Sequence, residues 1–250
     1  MSSPLFGRVP ESKCDMQNEF LARLSPTVQA LVQSLEARTG LEVTVEVNLD
    51  RAKNLACTVD EAGAILKTYS VDYFPDGGVF HELRHIERLT VEGVPRLIDN
   101  PGSASWTWDV DEALHKLDNT LEHFVIVPEE LAAFPDRHDR WAESLFSMWR
   151  EDVPGLEPGQ EQTSWALVNA VFTSLAFPGS EVEQLAMRTL ASLNLIERFH
   201  ALHAAVLPVV KSKEDLVRVV FDHLGVPRDI AKFKYLDVQG KALRETVIFG

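Results

Sequence analysis

The chain has 250 residues, with 24 Lys and Arg against 38 Asp and Glu, a formal net charge of −14 with histidine neutral. Proteins that hold nucleic acid by its phosphates, or dock on anionic membrane, draw affinity from a basic surface, so this balance argues against both roles. With 45 % hydrophobic and 25 % charged residues, the composition is that of a folded globular chain with a core of its own, in one domain or two closely packed lobes.

The amino terminus from Met1 through Phe6 to Cys14 is polar and broken by proline, without the apolar run of an export signal. Residues 16–38 carry Phe20, Leu21, Leu24, Val28, Leu31, Val32 and Leu35 at helical spacing, with Ser25 and Pro26 as cap and first-turn proline, so two consecutive helices are expected. After Gly40 the period falls from 3.6 to 2. Leu41, Val43, Val45 and Val47 alternate with Glu42, Thr44 and Glu46, the pattern of a strand with one buried face. Further strands are expected from Leu55 to Val59 and from Ala64 to Phe74, before Pro75, Asp76, Gly77 and Gly78 turn the chain into a helix beginning near Val79. Beyond Pro101 the periods are helical over 111–127, 140–149, 164–175, 181–206 and 213–224, and the tail from Phe233 to Phe249 reads as a hairpin around Gln239-Gly240. The expected architecture is therefore α+β. An amino-terminal lobe, residues 1–100, holds a small sheet and one distinctive helix, and a mainly helical lobe, 101–250, follows or merges with it in one compact domain. No segment reaches about 18 uninterrupted apolar residues, the length of a membrane span. With only Cys14 and Cys57, too few for a disulfide framework, the reading is a soluble cytoplasmic protein with reduced thiols.

The distinctive helix carries His81-Glu82-Leu83-Arg84-His85 between apolar Val79, Phe80 and Ile86. At about 100° per residue the two histidines lie about 40° apart, one turn from each other, with Glu82 alongside. Two neutral imidazoles suit zinc and leave it cationic enough to lower the pKa of a bound water from about 15.7 to roughly 7. Glu82 is then placed to accept that water's proton and pass it to a leaving amine, as general base and not as ligand.

A catalytic zinc takes a third protein ligand, and the helix over 111–127 offers one. His115, Asn119, Glu122 and Ile126 share one face, beside an apolar stripe of Leu114, Leu117, Leu121, Phe124 and Val125. Glu122 stands at the edge of the face that must be buried, where a carboxylate needs a partner. Zinc is one such partner and an arginine is the other. Glu122 is the first choice as ligand, with His123 and His115 behind it, and Asp118 or Asn119 can accept the free ring N–H of a liganding histidine.

His81-Glu82-Leu83-Arg84-His85 on a helix after a small sheet, with a glutamate 37 residues on in a second helix, resembles the zincin metallopeptidases of the gluzincin branch. The likeness covers Leu41 to Val127, and Asn119-Thr120-Leu121-Glu122-His123 departs from the polar pattern usual around the branch's glutamate. It implies zinc held by His81, His85 and Glu122, a zincin-like fold, and an edge strand within Ala64 to Phe74 that aligns the peptide or protein substrate. The function expected is zinc-dependent hydrolysis of peptide bonds with Glu82 as base. The alternative is a non-catalytic zincin-like protein that binds or regulates a partner.

Oxyanion-stabilising candidates in the helical part are His138, His200, His203 and Tyr235. Cys57 reads as a small core residue, and Trp106 and Trp108 as packing for a loop or as a substrate wall. Residues 99–161 carry 4 basic and 15 acidic groups. That segment reads either as a solvated acidic surface or as a surface that favours basic peptides.

Overall fold

The period change at Gly40 is realised in the backbone. In the computed structural model, which describes residues 19–47, 55–59, 63–70, 72–227, 229–237 and 242–248, helix α1 (Pro26–Thr39) starts with proline in its first turn and ends at Gly40 in the left-handed region, φ 70°. Residues 19–22 form a preceding helical turn. The expectations on Phe6, Cys14, the Gln239-Gly240 turn and Phe249 lie outside the described residues.

Strands β1 (Val43–Val47), β2 (Ala56–Val59) and β3 (Ala64–Thr68) form one sheet with β3 in the middle. β1 runs parallel to β3, with Val43 opposite Ala64, and β2 antiparallel, with Ala56 opposite Lys67. Ala64, Leu66 and Thr68 are buried while Ile65 and Lys67 are half-buried, the alternation that a pleated strand imposes. The strand from Ala64 was expected to be an edge that receives substrate, but both of its sides are hydrogen-bonded to neighbours, and the edges of the sheet are β1 and β2.

Helix α2 (Asp76–Thr90) carries the histidine pair. It opens one turn earlier than the apolar period indicates, with the Pro75 carbonyl accepting from Val79 N at 2.9 Å. Both carboxylate oxygens of Asp76 accept from the Ser25 N–H, at 3.0 and 3.2 Å, and Arg38 reaches Glu87 at 2.8 Å. Start is thus tied to start and end to end, so α1 and α2 lie side by side and run the same way. Val79, Leu83 and Ile86 are buried. Gly78 lets the first turn approach Leu55, because a Cβ there would stand 2.9 Å from Leu55 Cδ1.

Beyond α2 a second sheet of order β4-β5-β6 joins β4 (Arg96–Asp99) to the hairpin β5 (Ala231–Asp237) and β6 (Ala242–Val247), all antiparallel. The sequence announces the hairpin but not β4. Helix α3 (Trp108–Ala133) runs 26 residues, past the end expected at Val127 and through Pro128. The proline gives up one backbone bond, but Phe124, Val127 and Glu130 on either side of it are buried and keep the helix in place. Then come α4 (His138–Ser147), which widens into a π-type stretch at Met148–Asp152, α5 (Gln160–Ala176), α6 (Glu181–Ser192), α7 (Ile196–Val206) and α8 (Lys213–Leu224). The single helix expected over 181–206 is two, parted at Asn194, whose φ of 58° is left-handed and within reach of asparagine's short polar side chain. Trp149, Val171, Leu190, Phe221 and Phe233 are among the buried residues of this part.

The class is α+β, about 62 % helical, with two small three-stranded sheets and a mostly helical carboxy-terminal half. The chain divides into compact units Met1–Glu87 and Arg88–Gly250, a division that falls inside α2. No helix among the described residues is long and apolar enough to cross a membrane. Leu83, fully buried on α2, anchors the histidine-bearing helix, and Leu83→Ala should lower the unfolding free energy by about 3 kcal/mol, measured by urea denaturation.

Candidate metal centre

His81 and His85 stand one turn apart on α2, the first buried and the second half-buried. Their rings meet nearly edge to face, 73° between planes, and the two Nε2 atoms are 3.2 Å apart. Two nitrogens bound tetrahedrally to one zinc at its usual bond length are separated by about 3.3 Å. The pair therefore already has the separation that a shared ion requires. Glu82, half-buried, follows His81 directly. Arg84, inside the motif, pairs with Glu87, which also holds Arg38. The motif's cation is thus engaged along the helix.

Among the described residues one group could hold a metal ion: His81, His85 and His123, each offering one ligand atom, all within 4.8 Å of one another. His123 is half-buried on α3. Its ring lies 5.5 Å from that of Trp141, edge to face, and 6.0 Å from Phe172. Trp141 is itself fixed by its indole N–H, which donates to buried Glu130 at 3.0 Å, and Arg137 holds the other oxygen of Glu130 at 2.6 Å. Aromatic packing thus restricts the orientation of the third histidine.

Glu122, the sequence's first choice as third ligand, is engaged elsewhere. Its Oε2 accepts from Arg88 Nε at 2.6 Å and its Oε1 from Lys213 Nζ at 2.8 Å. Lys213 is 2 % exposed, and its three N–H bonds find three acceptors: Glu122 Oε1, Asp118 Oδ1 at 2.7 Å and the Asp118 carbonyl at 3.0 Å. Asp118 Oδ1 also accepts from the Leu97 N–H of β4 at 2.9 Å. The cluster of Arg88, Lys213, Asp118 and Glu122 is therefore buried, hydrogen-bonded and balanced two charges against two, the condition under which buried charge is tolerated, with the exposed Glu92 touching Arg88 from outside at 3.3 Å. Burial alone would raise the Glu122 pKa, but Lys213 and Arg88 outweigh it and hold the carboxyl at about 2, below its ordinary 4.5. Burial likewise works against the charged Lys213, and Asp118 and Glu122 overcome it, leaving the lysine pKa raised.

His115 and Asn119 are exposed on α3, and Asp118 serves Lys213 and β4 instead of a histidine ring. His138 packs on Phe177, His200 and His203 flank Phe199, and the Tyr235 hydroxyl donates to Glu214. Cys57 lies in β2 opposite Leu66. Trp106 donates to Asp99 at 2.6 Å, as packing for its loop, and the Trp108 side chain lies outside the described residues. Of the two partners expected for Glu122, zinc or an arginine, the structure shows the arginine, Arg88; what sequence reasoning missed was which arginine it is, and Lys213 altogether. Arg88 follows the histidine pair by one turn and Lys213 directly follows the cap Ser212, positions that look like ordinary helix surface.

Because the folded pKa of Glu122 is depressed, its contribution is present above the ordinary carboxyl value and is lost as pH falls from 4.5 towards 2. At neutral pH it amounts to about 3 kcal/mol. Urea denaturation at several pH values should show Glu122→Gln well below wild type at pH 7, with the gap narrowing as the medium is acidified. Comparison of the chain with protein families, curated proteins and solved structures finds no match in any of the three.

Proposed function

We propose that the protein is a cytoplasmic zinc-dependent metallopeptidase, with His81, His85 and His123 as metal ligands and Glu82 as general base. The observation that carries this reading is the pair of Nε2 atoms 3.2 Å apart on one helix, with a carboxylate beside them in sequence. A zinc ion bound there supplies Lewis acidity at the scissile carbonyl and a water that loses its proton near neutral pH. Glu82 takes that proton on a carboxylate oxygen and delivers it to the amide nitrogen, which leaves as an amine.

The ligand set has a chemical consequence. Three neutral imidazoles leave the double charge of the ion undiminished, whereas a glutamate ligand removes one unit of it. With Glu122 occupied by Arg88 and Lys213, His123 is the third ligand in this reading, and the likeness to gluzincins is confined to the helix of the pentapeptide. Peptides are the substrate class. Residues 99–161 carry 15 acidic groups against 4 basic ones; Asp118, Glu122 and Glu130 are buried in ion pairs, and the exposed remainder makes basic peptides the first to try, at low and high ionic strength.

Glu82→Gln should keep stoichiometric zinc by elemental analysis while peptide hydrolysis falls at least about 100-fold. His81→Ala should lose the ion. An alanine variant that retains a full equivalent of zinc, or a glutamine variant with wild-type turnover, overturns the proposal.

A further inference from the structure

The Arg88, Glu122 and Lys213 cluster takes no part in the proton transfer just described, yet it adjoins the site along the chain. On α2, His81, His85 and Arg88 follow at intervals of four and three, so they form one stripe, with Arg88 lying about 20° from His81 around the axis. On α3, Glu122 immediately precedes His123. Both Glu122 oxygens are held, one by Arg88 at 2.6 Å and one by Lys213 at 2.8 Å. Successive helix residues differ by about 100°, so fixing the Glu122 carboxylate on both sides also fixes the rotation of α3 that sets the direction of His123. A monodentate contact would leave that rotation looser.

We propose that Arg88 and Lys213 are positioning residues for His123: by clamping both oxygens of Glu122 they set the rotation of α3 that presents the imidazole to a metal ion. This inference rests on the reading of His123 as a metal ligand. Side chains that orient a ligand from behind in this way typically change metal affinity by about 10- to 100-fold. The clamp is specific in its chemistry. The guanidinium offers Nε–H in a fixed plane and the ammonium a point charge, so Lys at position 88 should only partly replace Arg.

The test measures zinc affinity of the full chain by competition with a chelating dye, beside urea denaturation of the zinc-free protein. Arg88→Met should weaken zinc binding at least about tenfold, with partial recovery in Arg88→Lys. Removing one member of a buried pair can compromise folding, so the paired replacement Arg88→Met with Glu122→Leu is made as well. It deletes one charge of each sign and leaves Lys213 with Asp118, an exchange that buried ion pairs often tolerate. This folded double variant should still show the weakened affinity. In a His123→Ala background, Arg88→Met should have no further effect on zinc affinity, whereas a general loss of stability would lower it in both backgrounds. Unchanged affinity in the folded double variant, or equal losses with and without His123, overturns the inference. Wild-type protein that binds no zinc, or His123→Ala that binds it as wild type does, overturns instead the ligand reading beneath it.

Discussion

Four buried charges in the second unit set the terms for much of what surrounds them. Arg88 comes from the last turn of α2, Asp118 and Glu122 from the middle of α3, and Lys213 from the first turn of α8, and Asp118 also receives a backbone N–H from β4. A lysine in the first turn of a helix faces an unfavourable dipole, and an ammonium with almost no exposure faces a desolvation cost far larger than that. Neither is tolerable unless the carboxylates arrive in register. The cluster therefore demands that three helices and a strand meet in one arrangement, a stricter requirement than apolar packing makes, since methyl and methylene groups accept many neighbours.

The same constraint bears on the chemistry. A glutamate beside a histidine on one helix offers a metal two possible ligands, and hydrogen-bonded cations remove one of them from the competition. Glu122 keeps its charge in a place where two cations already balance it, and His123 lays its ring against Trp141 and Phe172. The different surroundings of these two consecutive residues follow from helix geometry, because a step of about 100° sends adjacent side chains to different neighbours.

The parts of this arrangement that could be read in the sequence are those encoded locally. The alternation from Leu41 to Val47 and the spacing of His81 and His85 are each complete within a few residues, and the sheet and the paired imidazoles follow from them. The burial of Glu122 was also legible, since it borders an apolar stripe, and so was its need for a partner. An arginine was one of its two expected partners and Arg88 fills that place, but Lys213 was not legible, because it is 91 residues away along the chain and periodicity says which face is buried without saying what meets it. Strand β4 was hidden for the same reason: its four residues acquire meaning only from β5, far along the chain. Asn194 shows the limit at the scale of one residue, where a periodic stretch conceals a left-handed break.

The placing of β3 between a parallel and an antiparallel neighbour makes the two borders of the first sheet different in polarity. β1 points along β3 and β2 points against it. An extended chain laid antiparallel on β1 must run opposite to β3, and one laid antiparallel on β2 must run with it. For antiparallel addition the sheet thus distinguishes the amino-to-carboxyl direction of an added strand, and the two borders would take the same segment in opposite directions.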